Sequence, residues 1–183
     1  MSVVVLSKEN KKVELVRAVE LGADVNEVTL NGKTALFYSC LQNNAEIVRI
    51  LLSRHDINVN YRDKYDAYCT FLMMCYENKF EMVLLLMQDA RVDIGLCDNC
   101  GWTPFMWACY RGRTHVVKLL LAFGRKVEVN KRNFVGKTAL EYAKQENRID
   151  IVNLLEEYRM DPSKTQKMTR RQLNIKGNTF EKT

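Results

Sequence analysis

The chain has 183 residues, 47% hydrophobic and 27% charged, with two prolines and eight glycines, an ordinary globular balance that argues against a collagen-like or low-complexity chain. No apolar run approaches the ~20 residues that a bilayer span requires. The formal net charge is +6, but residues 160–183 hold six Lys and Arg against Asp161 and Glu181 and supply +4 of it, leaving the remainder nearly neutral.

In chain order, the first segment is Met1-Ser2-Val3-Val4-Val5-Leu6, an apolar run with no basic region before it. Lys8, Glu9 and Asn10 follow directly, unlike a secretory signal. With no export indicated, the six cysteines are expected as free thiols in a reducing cytosol, the nucleus being a second possible location. Ser2 to Glu9 and Val13 to Leu21 form a candidate helix pair, the first member weakened by β-branched residues and the second short.

From residue 30 the chain repeats itself. Gly32-Lys33-Thr34-Ala35-Leu36-Phe37-Tyr38-Ser39-Cys40-Leu41 is followed by a weaker copy, Cys69-Thr70-Phe71-Leu72-Met73-Met74-Cys75-Tyr76. Then come Gly101-Trp102-Thr103-Pro104-Phe105-Met106-Trp107-Ala108-Cys109-Tyr110 and Gly136-Lys137-Thr138-Ala139-Leu140-Glu141-Tyr142-Ala143. The anchors Thr34, Cys69, Thr103 and Thr138 recur every 34 or 35 residues. Nine residues after each stands Asn43, Asn78, Gly112 or Asn147, types that tolerate a left-handed turn. Apolar groups follow in fixed register, Ile47-Val48 and Ile50-Leu51-Leu52 in one copy, Val116-Val117 and Leu119-Leu120-Leu121 in another.

Each copy therefore predicts a short helix, a tight turn, a second amphipathic helix and an extended link such as Asn58-Val59-Asn60. One such pair cannot bury its apolar face alone, whereas a stack shares one continuous core. In the last copy Lys144 stands where Cys40, Cys75 and Cys109 stand earlier, and Glu156 replaces Leu52, Met87 and Leu121. Both changes suit a terminal cap.

This pattern resembles the ankyrin repeat family, through Thr103-Pro104-Phe105, Gly22-Ala23-Asp24-Val25-Asn26 and Val116-Val117-Lys118-Leu119-Leu120-Leu121. The resemblance implies an all-α solenoid of stacked helix–turn–helix units with β-hairpin-like finger loops. Repeats fall near 1–30, 31–64, 65–98, 99–133 and 134–159, the first degenerate, and residues 160–183 form a basic tail. The chain departs from the family signature at Phe37, Leu72, Met106 and Glu141, where a His is usual. The second copy has Ala67 and Cys69 in place of Gly and Thr, and its preceding loop is one residue longer.

The resemblance further implies a non-catalytic module that binds a partner protein on a concave surface of fingers and first-helix ends, without cofactor and as a monomer. Five positions per repeat would face that groove, and six of the twenty are aromatic. Trp, Tyr and Arg carry most binding energy at interfaces because they bury large, rigid areas. Candidate contacts are Leu30, Lys33, Tyr65, Tyr68, Tyr76, Trp102, Tyr110, Arg111, Phe134 and Lys137. The competing role for the rings is to pack between fingers and stiffen the array. Trp107 and Tyr38, mid-helix, are expected in core or inter-repeat contacts.

Chemistry has little to stand on. Cys97-Asp98-Asn99-Cys100 is a CxxC on a finger, but zinc needs four ligands and only Cys69 offers a third. No metal is expected. His55 and His115 lack a nucleophile or carboxylate arrangement, and no phosphate-binding glycine loop occurs. Cys40, Cys75 and Cys109 share a small buried position and read as core. In the tail, Lys164, Lys167, Arg170 and Arg171 recur at helical spacing and offer an alternative, an adaptor touching nucleic acid or acidic membrane. Asp161-Pro162-Ser163 reads as a stop signal, so the tail is expected as a solvated, partly disordered extension with Ser163, Thr165 and Thr169 open to phosphorylation.

Overall fold

The computed structural model describes residues 2–123, 125 and 127–175. The four sequence anchors are helix N-caps. The hydroxyls of Thr34, Thr103 and Thr138 accept the backbone N–H three residues on, and Cys69 Sγ does the same 3.4 Å from Leu72 N. They start α3 (Ala35–Leu41), α5 (Thr70–Tyr76), α7 (Pro104–Tyr110) and α9 (Ala139–Gln145). Pro104 occupies the first turn, where its missing N–H has no role, and Glu141 completes a capping box with Thr138.

Asn43, Asn78, Gly112 and Asn147 sit at φ between 52° and 69° and turn the chain into α4 (Ala45–Leu52), α6 (Phe80–Met87), α8 (Thr114–Ala122) and α10 (Ile149–Met160). The degenerate N-terminal segment is a pair of the same kind, α1 (Val3–Lys8) and α2 (Lys12–Glu20), joined through Asn10 at φ 56°. Its β-branched first helix is secured from outside. Glu27, in the next finger, accepts Ser2 Oγ at 2.6 Å and Val3 N at 3.1 Å, filling one of the open backbone donors of the helix start.

First helices stack in one row, α1 on α3 on α5 on α7 on α9, and second helices in another, from α2 through α10. One apolar core runs along both rows, from Val3 and Leu15 to Leu154 and Leu155. Ile47, Met82, Val116 and Ile151, at the same register of successive second helices, are fully enclosed. The position in α2 corresponding to Ile47 is Glu14, exposed, because no earlier helix covers it. At the far end Lys144 and Glu156, also exposed, form an ion pair of 2.7 Å. Both ends replace buried carbon with charge where stacking stops.

Between helix pairs the links fold into hairpin-like fingers. Thr29 N donates to Lys33 O, Asp63 N to Tyr68 O, Asp98 N to Trp102 O and Asn133 N to Lys137 O, at 3.0 or 3.1 Å. Adjacent fingers are tied as well, Asn99 N to Asp66 O and Phe134 N to Cys100 O, both at 3.1 Å. Glycines serve the positive φ at the tips of three fingers, and Gly101 also leaves room for the Phe134 ring, which a Cβ would meet at 2.7 Å. The third repeat places Ala67 at φ 58° in that role, a conformation that disfavours a Cβ by ~1–2 kcal/mol.

The segment after Met160 differs from expectation. Asp161 does stop α10 at Met160, but it is also the N-cap of a further helix, accepting Lys164 N at 2.9 Å, and Pro162–Gln172 form α11, packed on α8 and α10, in place of a disordered extension. The reason lies in the ends of the second helices. Arg91 donates to Leu52 O and Arg54 O at the end of α4, and Arg125, at the same register one repeat on, donates to Asp89 O and Val92 O after α6. The next residue in this register is Met160, which cannot donate. Arg170 Nε and Gln166 Nε2 of α11 reach Ala122 O at 2.6 Å and Leu121 O at 3.1 Å instead, so the returning helix caps α8. Thr165 and Thr169 are buried on the inward face of α11, which withdraws both from the expected phosphorylation sites and leaves Ser163 exposed. Lys176 and Lys182 of the basic tail lie outside the described residues.

Candidate functional site

On the side of the fingers, residues just before the anchors reach the next unit: Tyr68 and Trp102 meet the rings four after the following anchors, and Lys33 meets a finger carboxylate. Lys33, before Thr34, reaches Asp63 of the next finger at 2.5 Å and lies 4.5 Å from the Phe37 ring centroid. Tyr68, before Cys69, meets the Trp107 ring edge-on, centroids 6.3 Å apart. Trp102, before Thr103, lies between Trp107 and Tyr142, with centroids at 4.4 Å and 4.1 Å. Tyr76 and Tyr110, at the ends of α5 and α7, close on Trp107 edge-on at 5.2 Å and 5.9 Å. Six rings from three repeats thus form one connected wall, each contact contributing about 0.5–1.5 kcal/mol beyond burial.

Buried polar groups at the finger bases set the orientation of this wall. Asp98, 4% exposed, accepts Cys100 N and Trp102 N on Oδ1 and the Trp107 indole N–H on Oδ2, each at 2.9 Å. Asn133 holds the Lys137 N–H and donates to the Tyr142 hydroxyl at 2.9 Å. Asp63 accepts Tyr65 N and Asp66 N besides Lys33. Burial alone would raise the Asp63 carboxyl, but the Lys33 ammonium and these N–H groups outweigh it and hold it below the usual range.

Of the sequence-derived candidates, Leu30, Tyr65 and Phe134 stand at fingertips with 93%, 66% and 78% of their surface exposed. Val135 beside Phe134 is equally open. Arg111 is exposed and lies over the Tyr76 ring at 4.5 Å. Lys137 is exposed, 5.4 Å from the Tyr142 ring and bonded to Gln145. Tyr68, Tyr76, Trp102 and Tyr110 are half-buried in the wall, and Lys33 is half-buried with its ammonium committed to Asp63. Trp107 is the hub that joins the others, and Tyr142 and Asp98 complete the assembly without having been singled out from the sequence. The shared register of Tyr38, Trp107 and Tyr142 four residues after an anchor was the available signal.

Cys97 is half-buried and Cys100 exposed, with Asp98 between them turned to the finger backbone. Among the described residues no group of three or more His, Cys, Asp or Glu is placed to hold a metal ion. Cys40, Cys75 and Cys109 are fully enclosed, and burial pushes their thiols up. His55 and His115 are exposed on separate elements. No helix among the described residues is long and apolar enough to cross a membrane.

The family model for ankyrin repeats in three copies matches residues 3–94 and 71–166, which together take in nearly the whole array. The chain belongs to the ankyrin repeat family. The ankyrin repeat protein YahD of Escherichia coli (strain K12) is 30% identical over 166 residues, covering 85% of this chain and 78% of YahD. Alpha-latrotoxin-Lg1a of Latrodectus geometricus is 29% identical over 137 residues, 74% of this chain and 10% of the toxin. Tyrosine-protein kinase HTK16 of Hydra vulgaris is 27% identical over 157 residues, 83% of this chain and 20% of the kinase. The chain thus spans only a small part of the length of these two larger relatives. Ankyrin repeats are in general protein–protein interaction modules, and protein partners are the expectation that membership brings.

Proposed function

We propose that this ankyrin protein is a non-catalytic recognition module, monomeric and acting in the cytoplasm or nucleus, that holds a partner protein along its concave side. The observation that carries the reading is the connected wall of Tyr68, Tyr76, Trp102, Trp107, Tyr110 and Tyr142, flanked by open apolar fingertips at Leu30, Tyr65, Phe134 and Val135. A wall already fixed by ring contacts and by Asp98 loses little entropy on binding. Arg111 and Lys137 would provide polar selection, and Lys33 would contribute its aliphatic stem rather than its charge.

The fingertips offer the cleaner test. Trp102 is held between two rings, so removing it would disturb stability along with binding. Tyr65→Ser with Phe134→Ser should leave helicity and unfolding midpoint nearly unchanged and reduce capture of native partners at least tenfold, read by affinity pull-down and mass spectrometry. Unchanged capture would defeat the groove assignment. The alternative, contact of nucleic acid or acidic membrane through the tail, retains the exposed cations Lys164, Lys167 and Arg171 of α11 but not Arg170, which caps α8. It requires binding that falls steeply with salt and disappears on deletion of residues 161–183.

A further inference from the structure

The fingers hold one another through a repeated contact at their tips. Asp66 O receives Asn99 N from the next finger, and Cys100 O receives Phe134 N, both at 3.1 Å. The residue after each acceptor decides what else the next finger can bring. Gly101 follows Cys100, and the place a Cβ would take there lies 2.7 Å and 2.9 Å from Phe134 Cδ1 and Cε1 and 3.0 Å from Phe134 N. At Gly32 the same place meets Lys64 N at 3.1 Å and Lys64 Cγ at 3.3 Å. A glycine here lets a backbone N–H and the side chain beside it come closer than a Cβ would permit. Where the position is Ala67, the next finger brings Asn99, whose side-chain amide turns to Tyr65 O at 3.0 Å.

At the last finger, residues 131–137, this contact is left open. Val135 stands in the register of Asp66 and Cys100, and its carbonyl accepts no backbone N–H among the described residues. Gly136 follows at φ 79°, and beyond its chain neighbours no described atom comes within 4 Å of its Cβ position. Arg132 donates to Gly136 O and still leaves that place clear. Phe134 and Val135 beside it are among the most exposed apolar residues of the protein. The stacking faces of the same repeat are closed with charge, at Lys144 and Glu156. Its fingertip instead keeps an apolar notch with an acceptor that no described N–H fills.

We propose that the notch formed by Val135 O and Gly136 receives an aromatic residue from a loop of the bound protein. The backbone N–H of that residue donates to Val135 O and its ring lies over Gly136, as Phe134 does at Cys100 and Gly101. The main-chain bond supplies affinity at an open edge and the cleared glycine supplies selection for a ring. The proposal rests on the fingers being part of the recognition face, whose row of open tips the notch continues.

The probe is acetyl-Asn-Phe-Val-amide, copied from residues 133–135, added to the isotope-labelled full chain. A ring seated over Gly136 should move its α-proton resonances upfield, saturably, with no comparable change at Gly101, where Phe134 already sits. Methylating the phenylalanine nitrogen of the peptide removes the donor and keeps the ring, and should weaken binding about fivefold, the effect of one hydrogen bond. Acetyl-Asn-Ala-Val-amide should give no upfield shift. Gly136→Ala should abolish the response with the unfolding midpoint near that of the parent chain, since Ala67 already holds this position at φ 58°.

No saturable shift at Gly136, or binding indifferent to N-methylation and to Gly136→Ala, overturns the proposal. It falls equally if the Gly136 resonances move with protein concentration alone, which would place a second copy in the notch. A response seen only in Phe180→Ser would place the chain's own end there and also overturn it. Should any of these occur while Tyr65→Ser with Phe134→Ser still releases native partners, the recognition face stands and the notch assignment alone falls.

Discussion

The two sides of the array solve one problem, holding a repeat to its neighbour, with different materials. On the side of the second helices the solution is uniform: a guanidinium from the next element donates to the open carbonyls at a helix end, from Arg91, then Arg125, then Arg170. On the side of the fingers the solution changes at each boundary, from Lys33 with Asp63, to Tyr68 on Trp107 with Asp98, to Trp102 on Tyr142 with Asn133. Backbone carbonyls are alike at these helix ends, so the same donor type recurs at all three. Side-chain pairs have no such constraint, and the finger side can vary in shape and charge while keeping the stack together. That freedom is what a recognition face requires.

The comparison breaks most visibly at its hub. Trp107→Ala removes contacts to four rings and leaves Asp98 Oδ2 without its donor, and it should destabilise the protein by about 3–5 kcal/mol in urea unfolding. A loss below 1 kcal/mol would show the wall to be decoration on a core that holds without it.

A middle-sized effect sharpens the other side. Arg170→Ala should lower stability by about 1–2 kcal/mol and raise amide exchange in α11 and at the end of α8, leaving α4 and α6 protected. Arg91→Ala should cost a similar amount, with the exchange moved to α4. Equal protection everywhere in both variants would dissolve the ladder into unrelated contacts.

The smallest effect concerns acid. The Asp63 carboxyl is depressed in the folded state, so its contribution is complete above the ordinary carboxylate range and is lost as pH falls through the lowered folded value. Stability of the parent chain should fall below about pH 4, and Asp63→Asn should remove part of that fall, by ~1 kcal/mol or less because the Lys33 side chain keeps some contact with solvent. Identical acid profiles in denaturant titrations would show that the ion pair is indifferent to folding.

The period of 34 or 35 residues, the N-capping anchors and the Asn or Gly turns were legible in the sequence because each depends on local geometry repeated four times. The polar caps at Lys144 and Glu156 were legible for the same reason, as departures from a register that every other copy keeps. Which rings point outward was only half legible. Register placed Tyr68, Trp102 and Tyr110 on the finger side, but whether a ring there is open or held depends on residues a repeat away, as with Tyr142 against Trp102. The commitment of Lys33 to Asp63 and the burial of Thr165 and Thr169 are likewise contacts between distant segments.

The tail shows the division most sharply. Its basic, proline-led sequence reads as solvated chain, because nothing local says that Met160 leaves two carbonyls of α8 uncapped and that Arg170 and Gln166 can reach them. Sequence alone determined the unit, its period and its polar ends, since those follow from backbone geometry and from which faces must be buried. Tertiary structure alone decided which charges are spent inside and which rings remain available, since that depends on where distant donors and acceptors arrive.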